Sequence, residues 1–168
     1  MKQFYDIPSL LIFLLLLFPL ARPASGSSVV PPQNLGELAL MSEGIVLARA
    51  GKGTPKRGGT LIFTHTRFTV LEIVGGNFRV GEQIDVEAYG GQMDGLGFAV
   101  PGSPEFEAGE VYLLFLSPKG DGWQPRMMSY GLLQEVTDPN GNRVLTHLEE
   151  LHDVELIARK DGVTPEPI

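Results

Sequence analysis

Leu61-Ile62-Phe63-Thr64-His65-Thr66-Arg67-Phe68-Thr69-Val70-Leu71-Glu72-Ile73-Val74 runs without a glycine or proline and is dominated by β-branched and aromatic side chains. Such residues fit a pleated surface, so the stretch reads as a strand. It is long for a flat strand and is expected to curve or carry a bulge, as the strands of a closed barrel do. Gly75-Gly76-Asn77 turns the chain at its far end. Upstream, Gly51-Lys52-Gly53-Thr54-Pro55-Lys56-Arg57-Gly58-Gly59 has the composition of a hairpin loop, and residues 45–50 precede it as the first strand.

Working outward, residues 83–88 alternate, with Ile84, Val86 and Ala88 on one face and Asp85 and Glu87 on the other. That period of two marks a half-buried strand. Phe78 and Val80 are expected to pack over the base of the domain, and Phe106 to act as a plug. Gly90, Gly91, Gly95 and Gly97 mark a tightly turned loop around Gln92, Met93 and Asp94. Residues 111–116 are the most apolar run after the N-terminal segment, hence a central strand. Residues 132–136 and 143–146 form a hairpin closed by Asp138-Pro139-Asn140-Gly141-Asn142.

Asn34 caps a short helical turn over residues 37–42. Leu148, Leu151, Val154 and Ile157 follow helical spacing, which predicts a C-terminal amphipathic helix between Thr146 and Gly162. About five to seven short strands with these helical caps describe a mainly β, small closed β-barrel, with a two-sheet sandwich as the alternative.

The N-terminus has a different purpose. Lys2, the unbroken apolar run Leu10–Phe18, Pro19 and the small residues Ala24-Ser25-Gly26 follow the order of a secretory signal. The apolar run is about half of what a permanent membrane helix needs. Residues 1–26 are therefore expected to be removed, leaving no stable membrane insertion, with 27–34 an extended lead-in, 35–160 one β-barrel domain and 161–168 a tail. The expected address is periplasmic or secreted.

Composition then narrows the chemistry. The chain carries 13 Lys and Arg against 20 Asp and Glu; losing Lys2, Arg22 and Asp6 with the signal leaves 11 against 19, net −8. An acidic surface repels phosphate backbones, so no nucleic-acid partner is expected. There are no cysteines, which removes disulfides, thiolate metal sites, a Cys nucleophile and a lipid anchor at the cleavage point.

A resemblance adds to this reading. The helical turn followed by Gly44-Ile45-Val46-Leu47-Ala48-Arg49-Ala50, then Phe63-Thr64-His65-Thr66-Arg67-Phe68-Thr69-Val70, then Gly81-Glu82-Gln83-Ile84-Asp85-Val86-Glu87 resembles uncharacterised bacterial exported domains. Gly91, Val100-Pro101-Gly102, Phe106, Gly109-Glu110 and Leu113-Leu114-Phe115-Leu116 fit the same pattern. The order is also similar to the netrin-like module of tissue inhibitors of metalloproteinases, an OB-type barrel. Over residues 35–160 the resemblance implies an OB-like barrel. It carries no activity across, because those inhibitors act through an N-terminal cysteine and disulfides.

Candidate chemistry is sparse. His147 and His152 fall on different faces of the predicted helix, and Glu149 with His152 gives two ligands without the third that zinc needs. Asp138, Asn140, Asn142 and Glu149 have the spacing of a calcium loop, but Arg143 stands where that loop needs glycine. Ser103, between Gly102 and Pro104, lacks the Gly-x-Ser-x-Gly elbow of a serine nucleophile. No cofactor, metal site or catalytic set is expected. Trp123, Tyr112, Tyr130 and Met127-Met128 read as core or as an apolar patch.

The expectation is an exported, non-catalytic module that binds another envelope or extracellular protein through its variable loops. Lys52, Lys56 and Arg57, clustered in an acidic protein, are the binding residues to test, together with Asp94. The alternative is a small-ligand protein or a hydrolase-type enzyme using acidic groups near the Gly90–Gly102 loop, with Asp94 foremost.

Overall fold

Two fifteen-residue strands pair antiparallel to make the longest feature of the fold: β2 (Gly44–Gly58) and β3 (Leu61–Gly75). They appear in a computed structural model that describes residues 28–29, 34–148 and 155–156. The expected bulges are present. Val74 and Leu71 are extra residues on β3, and Gly51-Lys52 add one to β2 opposite Arg67. Each extra residue sharpens the local twist, which lets a long ribbon roll instead of lying flat. The strand β2 does not end at Gly51 as its composition suggests. It stays paired with β3 as far as Gly58, and the residues read as a loop are strand.

The chain is mainly β. A short β1 (Ser28–Val29) precedes the helix α1 (Leu35–Leu40), which Asn34 caps by accepting the Glu37 N–H at 2.9 Å. After β3 come β4 (Gln83–Tyr89), the small hairpin β5 (Gly91–Met93) and β6 (Leu96–Phe98), then β7 (Val111–Lys119) and β8 (Gly122–Pro125). A 3-10 turn (Met128–Gly131) leads to the hairpin β9 (Leu132–Thr137) and β10 (Arg143–Thr146), and β11 (Glu155–Leu156) pairs parallel with β1.

Five strands close into a ring. The order is β7–β2–β3–β4–β8, and β8 returns to pair with β7. All contacts around it are antiparallel except the last, where β4 meets β8 in parallel at Val86 and Trp123. The far edge of β7 is shared, with Tyr112–Leu114 facing β9 and Leu116–Lys119 facing β8.

Alternation fills the ring. Ile84, Val86 and Ala88 turn inward while Asp85 and Glu87 face out. Phe68 and Tyr112 are fully buried, and Phe106 packs edge-on against both rings. Trp123 lies against Phe78 at 5.0 Å between centroids, so Tyr112 and Trp123 belong to the core. Each such aromatic side chain contributes about 1.5–3 kcal/mol by leaving water. Gly44 marks how closely the base is packed, since a Cβ there would come within 2.6 Å of the Phe78 ring.

Two expectations are corrected. Phe78 packs into the core, but Val80 is 69% exposed and covers nothing. The predicted C-terminal helix is not borne out where it can be followed: Thr146 belongs to β10, and Glu155 and Leu156 form a strand. The rest of that helix, the export segment 1–26 and the tail 161–168 lie outside the described residues. Among the described residues no helix is long and apolar enough to cross a membrane.

Candidate interaction surface

Beyond Ala50, β2 loses its β7 neighbour. Ala50 donates to the Glu110 carbonyl at 2.8 Å and accepts from the Gly109 N–H at 2.8 Å. After that point β2 pairs with β3 alone, so among the described residues Lys52 to Gly58 form a strand edge open on one side. Lys52, Thr54, Lys56 and Arg57 are all exposed along it. The three basic residues singled out by sequence therefore lie together on one strand edge rather than on a hairpin tip, where Gly59 and Thr60 make the turn.

The outer face of this hairpin is a set of rows fixed by register. Lys56 stands opposite Phe63, which stands opposite Tyr89; Thr54 stands opposite His65, which stands opposite Glu87. Directly opposed residues share a face, so each row is continuous across three strands. Phe63 and Tyr89 touch at 5.2 Å between ring centroids, and Tyr89 is 37% exposed.

His65 sits between two carboxylates. Its Nδ1 is 2.9 Å from Asp85 Oδ2, and its Nε2 is 3.4 Å from Glu87 Oε2. The Nδ1 contact is a hydrogen bond, and Glu87 lies within ion-pair distance of the other nitrogen. The acids approach from opposite sides of the ring, which ties β3 to β4 and leaves no common point for a metal. Indeed, no group of three or more His, Asp or Glu among the described residues is arranged to hold one.

Asp94 is elsewhere. It occupies the tip of the β5–β6 hairpin with φ of 54°, followed by Gly95 at 76°. Two successive left-handed residues are what a tight hairpin turn requires, and Asp-Gly supplies them. Its side chain is exposed and makes no hydrogen bond or ion pair with the described residues. It forms no ion pair with Lys52, Lys56 or Arg57, although the hairpin that carries it packs against β2.

A cleft of about 290 Å³ does open beside the glycine loop, walled by Tyr89, Phe98, Val100, Pro104 and Phe106, with Glu105 its one charged group. Asp94 does not line it. Gly90 and Gly91, with φ of 102° and 134°, form its floor, and Thr64 Oγ1 donates to the Gly90 carbonyl at 2.8 Å. Ser103 is buried and donates to the Tyr89 carbonyl at 2.6 Å, so its hydroxyl holds the loop and is not free to attack. Across Glu105 lies a broader depression that includes Glu107, Glu110, Gln134 and His147. Burial pushes the His147 imidazole below its usual pKa, and its Nδ1 has no hydrogen-bond partner.

Asp138 shows how its own loop uses it. Its carboxylate accepts from the backbone N–H groups of Asn140 and Asn142, each at 2.8 Å, and from the Asn142 side chain at 3.0 Å. Asp138, Asn140 and Asn142 are thus engaged in closing the β9–β10 hairpin, while Glu149 lies outside the described residues.

Sequence reasoning placed the cations but passed over Phe63 and Tyr89 as partners. They lie 26 positions apart on the solvent side of two alternating strands, and only the β3–β4 register makes them neighbours. No protein-family model, curated protein or solved structure matches this chain.

Proposed function

We propose that the chain is an exported, non-catalytic module that binds another protein of the envelope or extracellular space through the outer half of the β2–β3 hairpin. One observation carries the reading. Lys56 stands exposed in the same row as the Phe63–Tyr89 pair, with Lys52 and Arg57 exposed along the same strand, where β2 has lost its β7 neighbour. Aromatic anchors ringed by charge are the composition of protein-contact hot spots. The ring is filled mostly by apolar side chains, and the Ser103 hydroxyl is buried and engaged by the Tyr89 carbonyl.

The export part of the proposal rests on the order of Lys2, the Leu10–Phe18 run and Ala24-Ser25-Gly26. N-terminal sequencing of protein from cells expressing the full chain tests it. A start at or near Ser27 is expected, and a start at Met1 overturns it.

The contact is tested in the same cells by a photo-crosslinking residue at position 56, with position 120 on a distant turn as control. A discrete crosslinked protein at 56 and none at 120 is the expected result. Reversing Lys52 and Arg57 to Glu beside the crosslinking residue should remove it. Equal crosslinking at both positions, or none at 56, counts against the hairpin.

A further inference from the structure

We infer that the open edge of β2 from Lys52 to Gly58 receives an extended acidic segment of a partner protein as an added strand. The inference rests on the hairpin being the contact surface and says what chemistry it takes. Three features of the edge carry it.

The first is unmet pairing. β3 satisfies one side of residues 52–58, and nothing among the described residues pairs with the other. A strand with one bare side is a template for another chain, and peptides use such edges by continuing the main-chain ladder.

The second is charge. Lys56 lies on the outer face of the ribbon, Arg57 on the other, and Lys52 at the bulge, so cations flank an incoming strand on both faces. Lysines on an edge guard against indiscriminate pairing, because an added strand of neutral or basic residues gains nothing from them. Two copies of this edge meeting each other would set lysine against lysine. The same residues attract an acidic strand, since opposite charges across neighbouring strands are favourable and like charges are not. The guard against self-association thereby becomes a filter for partner charge.

The third is Pro55. It has no N–H to offer, so the ladder of an added strand is interrupted there. The segment that fits is therefore short, held by a few main-chain bonds and by charge. Its binding should weaken as salt rises.

The test uses protein purified from cells expressing the full chain and three synthetic octapeptides: alternating Glu and Val, alternating Lys and Val, and the Glu–Val peptide N-methylated at every residue. Methylation removes main-chain donors and leaves the charge intact. The Glu–Val peptide is expected to bind saturably and to slow amide exchange at residues 52–58. The Lys–Val and methylated peptides should each bind roughly tenfold more weakly or worse. Changing Lys52, Lys56 and Arg57 to Glu should reverse the charge preference.

Equal binding of the methylated peptide would reduce the effect to charge attraction and overturn strand addition, as would unchanged exchange at 52–58. Should the peptides fail while crosslinking at position 56 persists, strand addition falls and the hairpin contact stands. Loss of both removes the two together.

Discussion

A Cβ on Gly131 would overlap the carbonyl oxygen of Arg126, so the corner between β8 and β9 closes only around a residue without a side chain. Met127 and Met128 reach that corner in the left-handed region, at φ of 58° and 60°. Leu132 then enters the core fully buried. Strain upstream, contact across and burial downstream leave the backbone no direction in which to yield. Gly131→Ala is expected to lower unfolding stability by more than about 3 kcal/mol or to prevent folding. Gly120→Ala is the comparison, since Gly120 has open space around it and a φ of 56°. That change should lower stability by only about 1 kcal/mol, from backbone strain alone. Urea denaturation of the two variants side by side decides it, and equal losses would rule out the packing argument.

Thr66 points into the ring with its hydroxyl fully buried and unpaired. A buried hydroxyl without a partner forfeits its hydration for nothing. Thr66→Val keeps the branched shape and removes the unmet group, so it should raise stability by about 1 kcal/mol. The denaturation midpoint is expected to rise with the slope unchanged. A fall would mean that the hydroxyl has a partner, such as a buried water.

The extent to which this fold could be read from sequence follows the strength of alternation. β4 was legible because Ile84, Val86 and Ala88 face a filled interior while Asp85 and Glu87 face water. The outer half of β2 was not, because Gly51, Gly53, Pro55 and Gly58 are loop residues by local preference. A strand paired on one side tolerates them, and β3 supplies the pairing that local preference lacks. Closure was expected, but which strands make it was not legible, for another reason. It depends on the meeting of Val86 with Trp123, two residues far apart in sequence, and no local pattern encodes that. For the site, the cations could be read as a cluster, whereas the Phe63–Tyr89 pair depends on strand register.

His147 links stability to pH. Burial holds its folded-state pKa below the ordinary value of 6.5. The unfolded chain therefore takes up the proton first as pH falls, and the native state loses ground. This contribution is full above about pH 6.5 and is lost progressively below it, down to the depressed folded-state value. His147→Gln removes the titration, so the wild-type minus variant difference in denaturation midpoint should shrink as pH drops from neutral. A difference independent of pH would show that the imidazole is hydrated in the native state.

The Asp138 loop titrates in a lower window. The Asn142 side-chain hydrogen bond, followed by the Asn142 backbone N–H, holds the Asp138 carboxyl below its usual pKa of 3.8. A carboxyl with a depressed folded-state pKa supports the native loop above its unfolded-state pKa, and that support is lost as pH falls through the folded-state value. The Asn140 and Asn142 amides should therefore be protected relative to unstructured amides at neutral pH and lose that protection once the carboxyl is protonated, while amides of the ring strands stay protected. Asp138→Ala should leave both amides exchanging at the unprotected rate for each pH. Because these bonds are exposed and local, the variant should open the β9–β10 turn without moving the global denaturation midpoint appreciably. Amide exchange followed by NMR makes the comparison. Protection of the Asn140 and Asn142 amides in Asp138→Ala would show that Gly141, held by its bond to the Asp138 carbonyl at 2.9 Å, closes the turn without the carboxylate.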